Sequence, residues 1–128
     1  MSLASVLQTA HSGMSAAITS VEAVSLNLAN SRTNGYKAIR PVFTEQLASS
    51  RGTLQIGTGV QLAGFTTDNS QGPLVTTSDG AVELSNTDVG EEIVELIMAE
   101  DQFMASSIVF NTATEMLDVL LNLGRRNI

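Results

Sequence analysis

The 128 residues include no cysteine and no tryptophan, one tyrosine, four phenylalanines and two prolines. Without cysteine there is neither a disulfide nor a thiolate metal site. So few aromatic rings leave a core to be built from Leu, Val, Ile, Ala and Met, which suits helix seams better than a dense aromatic centre. Basic residues are also scarce. Six Lys and Arg stand against thirteen Asp and Glu, for a net charge of −7. That balance argues against nucleic acid as a partner, because neutralising phosphates takes clustered Lys or Arg. No run reaches the roughly 20 apolar residues of a membrane span, so no membrane insertion is expected. The start, MSLASVLQTAHSG, lacks a basic n-region and a continuous apolar block, so a cleaved signal peptide is not expected. The length is that of one domain.

Charge is unevenly spread. Residues 1–30 hold Glu22 alone, whereas residues 86–128 hold eight acids against Arg125 and Arg126. The near-neutral first segment carries Leu3, Leu7, Ala10, Met14, Ala17, Val21, Val24 and Leu28 at alternating steps of four and three. That is the a/d seam of a coiled coil held for more than three heptads. Its outer face is poorly solvated, so this helix is not expected to stand alone. Gly13 inside it costs about 1 kcal/mol relative to Ala and points to a close approach by a neighbour's backbone.

The last segment repeats the pattern with Leu96, Ala99, Phe103, Ser106, Phe110, Ala113, Leu117 and Leu120. A second stripe, Ile93, Ile97, Met104 and Ile108, widens the apolar face beyond a two-helix seam. Asp88 with Glu91 three residues on predicts a capping box. Gly124 before Arg125 and Arg126 predicts the helix stop. Between the helices, Leu54-Gln55-Ile56 and Val60-Gln61-Leu62 alternate around Gly57-Thr58-Gly59 and read as a strand pair. Leu74–Thr77 and Ala81–Leu84 flank Asp79-Gly80, a hairpin signal. The expected fold is mainly α with a small β unit: long N- and C-terminal helices pairing as a coiled coil around a short, hairpin-rich middle. The chain divides into a helix over 1–32, an extended and β middle over 33–86, and a helix over 87–128, the two helices forming one discontinuous helical domain.

Catalytic chemistry is hard to find. His11, the single histidine, has no acid within a helical turn and reads as solvated or lightly packed. The stretch HSGMSA is not a nucleophile elbow. Gly57-Thr58-Gly59 is followed by strand residues and lacks the third glycine of a dinucleotide loop. The pairs Glu91-Glu92 and Glu100-Asp101 read as a solvated, dipole-complementing helix face, with no ligand loop for a metal. Met14, Met98, Met104 and Met116 are expected to fill a core. The sequence therefore predicts no enzyme, no cofactor and no metal.

The stretch LNLANSRTNGYKA carries Asn27, Ala29, Asn30, Thr33, Gly35, Tyr36 and Lys37. It resembles the N-terminal signature of the bacterial flagellar rod and hook proteins, the axial proteins of the flagellum. ELSNTDVGEEIVELIMAEDQFMASSIVFNTATEMLDVLLNLG is similar to that family's terminal segment, and GTGVQLAGFTTDNSQGPLVTT to the stretch after the first helix in distal-rod and hook members. The resemblance implies a structural subunit of the rod or hook-basal region that assembles through its terminal helices into a helical tube. Its packing seam would comprise Leu3, Leu7, Met14, Val21, Leu28, Leu96, Phe103, Phe110, Leu117 and Leu120. The implied partners are further copies of the chain, other axial proteins and the flagellar export apparatus, which passes subunits without a cleaved signal peptide. The implied location is the basal body. Asn27 and Asn30 would satisfy backbone groups at the helix end, Asn34-Gly35 would supply a tight turn, and Tyr36 would pin the departing chain onto the helices.

Two departures stand out. Most distal-rod and hook members carry large middle domains, and here QGPLVTTSDG passes almost directly into AVELSN. Glu100, Asp101 and Ser106 stand where the family usually shows Gln-Arg and, one turn on, Asn. The alternative reading is a non-polymerising binding module, an adaptor or chaperone related to axial proteins, which would form a closed helical bundle.

Overall fold

The structure of the chain, a computed structural model, describes residues 2–47 and 57–127. The four-and-three spacing of the first segment winds Leu3–Ala29 into helix α1. Ser2 caps it in a reciprocal box with Ser5: Ser5 N–H donates to Ser2 Oγ at 3.2 Å, and Ser2 N–H to Ser5 Oγ at 2.9 Å. Helix α2 runs over Val89–Arg126. Asp88 Oδ1 caps it by accepting from Gly90 N–H at 2.9 Å and Glu91 N–H at 3.3 Å. The reciprocal half of the expected box is not formed, because the Glu91 carboxylate pairs instead with Arg40. Gly124 is not a stop either. The helix continues through it and ends at Asn127, whose φ of −95° needs no glycine.

The helices are antiparallel, and two contacts fix their register. Asn27 bonds to Glu92, and Gly13 faces Ser106. Both intervals, 27 back to 13 and 92 on to 106, are two heptads, so the seams stay in step. Continued at that rate, Leu3 comes level with Met116. Helix α2 therefore overhangs the start of α1 by about ten residues, roughly 15 Å at 1.5 Å per residue.

Between the helices lies a two-stranded antiparallel ribbon, β1 (Ile39–Leu47) with β2 (Gly57–Thr67), and a hairpin, β3 (Leu74–Thr77) with β4 (Gly80–Glu83). The ribbon corrects the sequence reading. Val60-Gln61-Leu62 pairs with Phe43–Glu45, and Gly57–Gly59 belongs to strand β2 rather than to a turn. Leu54-Gln55-Ile56, the expected partner strand, lies outside the described residues. Pro41, which argues against a strand, is tolerated because each strand of a two-stranded ribbon has a free edge. In the second hairpin Gly80 pairs with Thr77 and the loop is Ser78-Asp79, one residue earlier than the Asp-Gly signal implied.

The ribbon leans on α1. Thr9 Oγ1 donates to Thr58 C=O at 3.1 Å, and Val60 N–H donates to Ser12 Oγ at 3.1 Å. Gly59 (φ +133°) sits against Ser12 and Thr9, where a side chain would meet both. Ala16 and Ala23 are buried on the ribbon side of α1, each lining a small cavity with Phe43.

The core is small-residue packing. Its buried apolar members are Ala10, Ala16, Ala17, Ala23, Val24, Ala38, Ala99 and Ala113, whereas the largest fully buried side chains are Glu92 and Asn27. Met98, Met104 and Met116 are exposed and fill no core in this chain, because α1 covers one stripe of α2 and they lie outside it.

Candidate functional site

The end of α1 and the start of α2 meet in a polar junction built on Asn27, which is fully buried. Its Nδ2 donates to Ile39 C=O at 2.9 Å and to Glu92 Oε1 at 3.1 Å. Its Oδ1 accepts from Ile39 N–H at 2.9 Å and from the Tyr36 hydroxyl at 3.0 Å. All four hydrogen-bonding positions of one amide are used, which ties α1, the beginning of β1 and α2 together. Asn27 thus serves the backbone of the departing strand rather than the helix end.

Glu92 is also fully buried, in contrast to the solvated face its neighbours suggested. Arg40 Nη1 donates to its Oε1 at 2.6 Å, and Arg40 Nη2 lies 3.3 Å from Glu91 Oε1. Glu92 Oε2 is buried without a hydrogen-bond partner among the described residues. Burial works to lower the Arg40 pKa. The hydrogen bond and charge of Glu92, then those of Glu91, outweigh it and hold the guanidinium above its ordinary value. Burial, helped by the Glu92 charge, raises the Tyr36 phenol.

The intervening turn is self-bonded. Asn30 Nδ2 donates to Leu26 C=O at 2.9 Å, and Thr33 Oγ1 donates to Asn30 Oδ1 at 3.0 Å. The chain then reverses at Gly35, whose φ of +72° is the left-handed conformation that glycine adopts freely. Gly35 N–H donates to Glu83 C=O at 2.9 Å. Lys37 Nζ reaches Glu83 Oε1 at 2.5 Å and Ser70 C=O at 2.7 Å. Asn86 completes the clamp. Its Oδ1 accepts from Ala38 N–H at 2.8 Å, and its Nδ2 donates to the carbonyls of Asp68 and Ser70 at 2.8 and 3.0 Å.

Of the seven motif residues, Asn27, Asn30, Thr33, Gly35, Tyr36 and Lys37 all make bonds in this junction, while Ala29 is exposed at the last turn of α1. Glu92, Arg40, Glu83 and Asn86 were not singled out by sequence for this place. For Glu92 a signal existed: stepping the α2 seam back by four from Leu96 lands on it. Asn86 stood in the Ser85-Asn86 pair, with nothing local to say what it clamps.

The seam residues divide. Leu3, Leu7, Met14, Val21, Leu28, Leu96 and Phe110 are partly buried, whereas Phe103, Leu117 and Leu120 are exposed. The second stripe of α2, Ile93, Ile97, Met104 and Ile108, is exposed throughout. On the side of the helix pair where no ribbon residue approaches among the described residues, a groove of about 740 Å³ opens, lined by Ile18, Val21, Leu26, Leu96 and Phe103 with Glu22 and Glu100. His11 is exposed. No helix among the described residues is long and apolar enough to cross a membrane.

Both parts of the junction fall within segments shared with known proteins. Residues 7–37 match the family described as flagella basal body rod protein. Residues 78–123 match the C-terminal family of the flagellar basal body rod FlgEFG proteins. The flagellar hook protein FlgE of Rhizobium meliloti is 37% identical over 70 residues, 55% of this chain and 16% of that protein. FlgE of Brucella suis is 37% identical over 62 residues, 48% of this chain and 15% of that protein. FlgE of Escherichia coli is 37% identical over 69 residues, 54% and 16% respectively. The chain thus matches about one-sixth of the length of these hook proteins. Both ends of the chain are similar to flagellar basal body rod and hook proteins, which are structural proteins.

Proposed function

We propose that the chain is a structural subunit of the flagellar rod or hook-basal region, in which the helices of residues 1–32 and 87–128 form one packing unit and the middle, 33–86, lies over it. Subunits associate through the faces of these helices into a helical tube, with further copies and other axial proteins as neighbours. The chain reaches that place through the flagellar export apparatus. The polar junction sets the register of the two helices and so the shape presented to neighbours.

One observation carries this reading. Helix α2 has 38 residues, yet only Glu92, Ala99 and Ala113 are buried in the chain. Val94, Ile97, Met98, Ile108, Val119 and Leu123 are left in solvent on several sides. Exposed apolar surface of that extent marks a protein interaction site. The test is Leu7→Asp or Leu117→Asp, each expected to abolish assembly while export continues. Normal assembly of both variants would contradict the proposal.

A further inference from the structure

The groove beside Ile18 and Phe103 and the overhang of α2 are complementary in three respects. The overhang is apolar nearly all round: Leu117, Val119, Leu120, Leu121 and Leu123 are exposed, with Asp118 and Asn122 the polar interruptions. A helix with that pattern needs cover on more than one side. The groove is lined by apolar residues and follows α1 from Ala17 to Leu26, ten residues or roughly 15 Å, which is also the length of the overhang. The charges match as well. Glu22 and Glu100 rim the groove without a basic partner among the described residues, and the overhang ends in exposed Arg125 and Arg126.

We infer that the groove receives the α2 overhang of a second copy, with Arg125 and Arg126 meeting Glu22 and Glu100. The inference rests on the self-assembly proposed above and names the surfaces that make one of its contacts. A chain cannot fill its own groove. At the observed register Ile18 is level with Asp101, and Leu121 lies twenty residues, roughly 30 Å, further along α2. The two surfaces lie towards opposite ends of the helix pair, so the contact is heterologous and joins copies head to tail, the type of contact from which a filament grows when its rotation does not close. Glu100, one of the positions that departs from the family pattern, then becomes the acid that selects a basic helix end.

The absence of cysteine makes the test clean. Ile18→Cys and Leu121→Cys chains are mixed, assembled and oxidised. The expected product is a dimer joining the two variants, and the doubly substituted chain gives a ladder of head-to-tail oligomers. Arg125→Glu with Arg126→Glu is expected to raise the concentration needed for assembly about tenfold, and Glu22→Arg with Glu100→Arg in the same chain restores it. All six positions are exposed or line the open groove, so folding is not at stake. Assembly without the 18–121 link and without any effect of charge reversal would overturn this contact and leave polymerisation standing. A link formed only to a different axial protein would also overturn it. Wild-type chain that never assembles at any concentration would overturn the polymerisation reading, and this contact with it.

Discussion

At the scale of single residues, the chain puts its largest fully buried side chains, Asn27 and Glu92, into one hydrogen-bonded unit. Removing one partner of a buried ion pair leaves the other charge uncompensated, at a cost of about 3 kcal/mol or more. Arg40→Ala is therefore expected to lower unfolding stability by about 3 kcal/mol, followed by far-UV circular dichroism in urea, while Glu92→Gln loses less because the amide still accepts from Asn27 and Arg40. Asn27→Asp preserves shape, removes both donors and sets a second carboxylate beside Glu92. It is expected to cost at least as much as Arg40→Ala, and a near-neutral result would show that the junction holds by shape alone. Lys37 and Glu83 supply a pH dependence. The Lys37 hydrogen bond, then the Gly72 N–H, hold the Glu83 carboxyl below its ordinary value, and the Ser70 backbone and hydroxyl do the same for Asp68. Carboxylates with lowered pKa stabilise the fold above their ordinary values, and that stability is lost as pH falls through the lowered ones. Acidification below about pH 4.5 is expected to loosen the loop around Gly72. Lys37→Met should flatten that response, read from the Gly72 amide signal in an NMR titration. This chemistry was half legible in the sequence. The anchored helix exit at Asn34-Gly35 and Tyr36 was implied by the family resemblance, whereas the residues alone read as an ordinary helix stop. The burial of Glu92 was masked because Glu91 and Glu100 on the same helix face solvent, and a run of acids reads as one face.

At the scale of elements, both helices were legible because their four-and-three spacing extends over many turns. Their ends were less so, because α2 tolerates Gly124 and Asp88 caps without help from Glu91. Strand β1 was hidden by Pro41 and by a partner, β2, that begins ten residues after it ends. Local alternation assigns Val60-Gln61-Leu62 to the nearest similar run, whereas its partner is Phe43–Glu45, in a ribbon that leans on α1. Gly59 holds that packing. Gly59→Ala combines a conformation that L residues rarely adopt with a collision against Ser12 and Thr9. The expected cost is about 2 kcal/mol, with faster hydrogen exchange at the Val60 amide that now donates to Ser12. Unchanged protection at Val60 would show that the ribbon is held elsewhere.

At the scale of the whole molecule, the covered seam is mostly alanine, while Leu, Ile, Met and Val side chains on several sides of α2 face solvent. Small residues let two helices approach closely but contribute little burial per residue, at roughly 25 cal/mol per Å² of apolar surface. The isolated pair is thus expected to be weakly held, and on the proposed assembly the exposed side chains are buried by neighbours. Composition already hinted at this, since a near-neutral first helix and a last helix with a second apolar stripe do not suit a lone domain in water. Which faces stay open was not readable, because a seam and an outer stripe share the same residue types. The decisive measurement is sedimentation velocity across a wide concentration range, with far-UV circular dichroism on the same samples. A chain built to polymerise gives low helicity when dilute, with helicity rising as large species grow. Full helicity in a compact species that never grows would contradict assembly through the terminal helices.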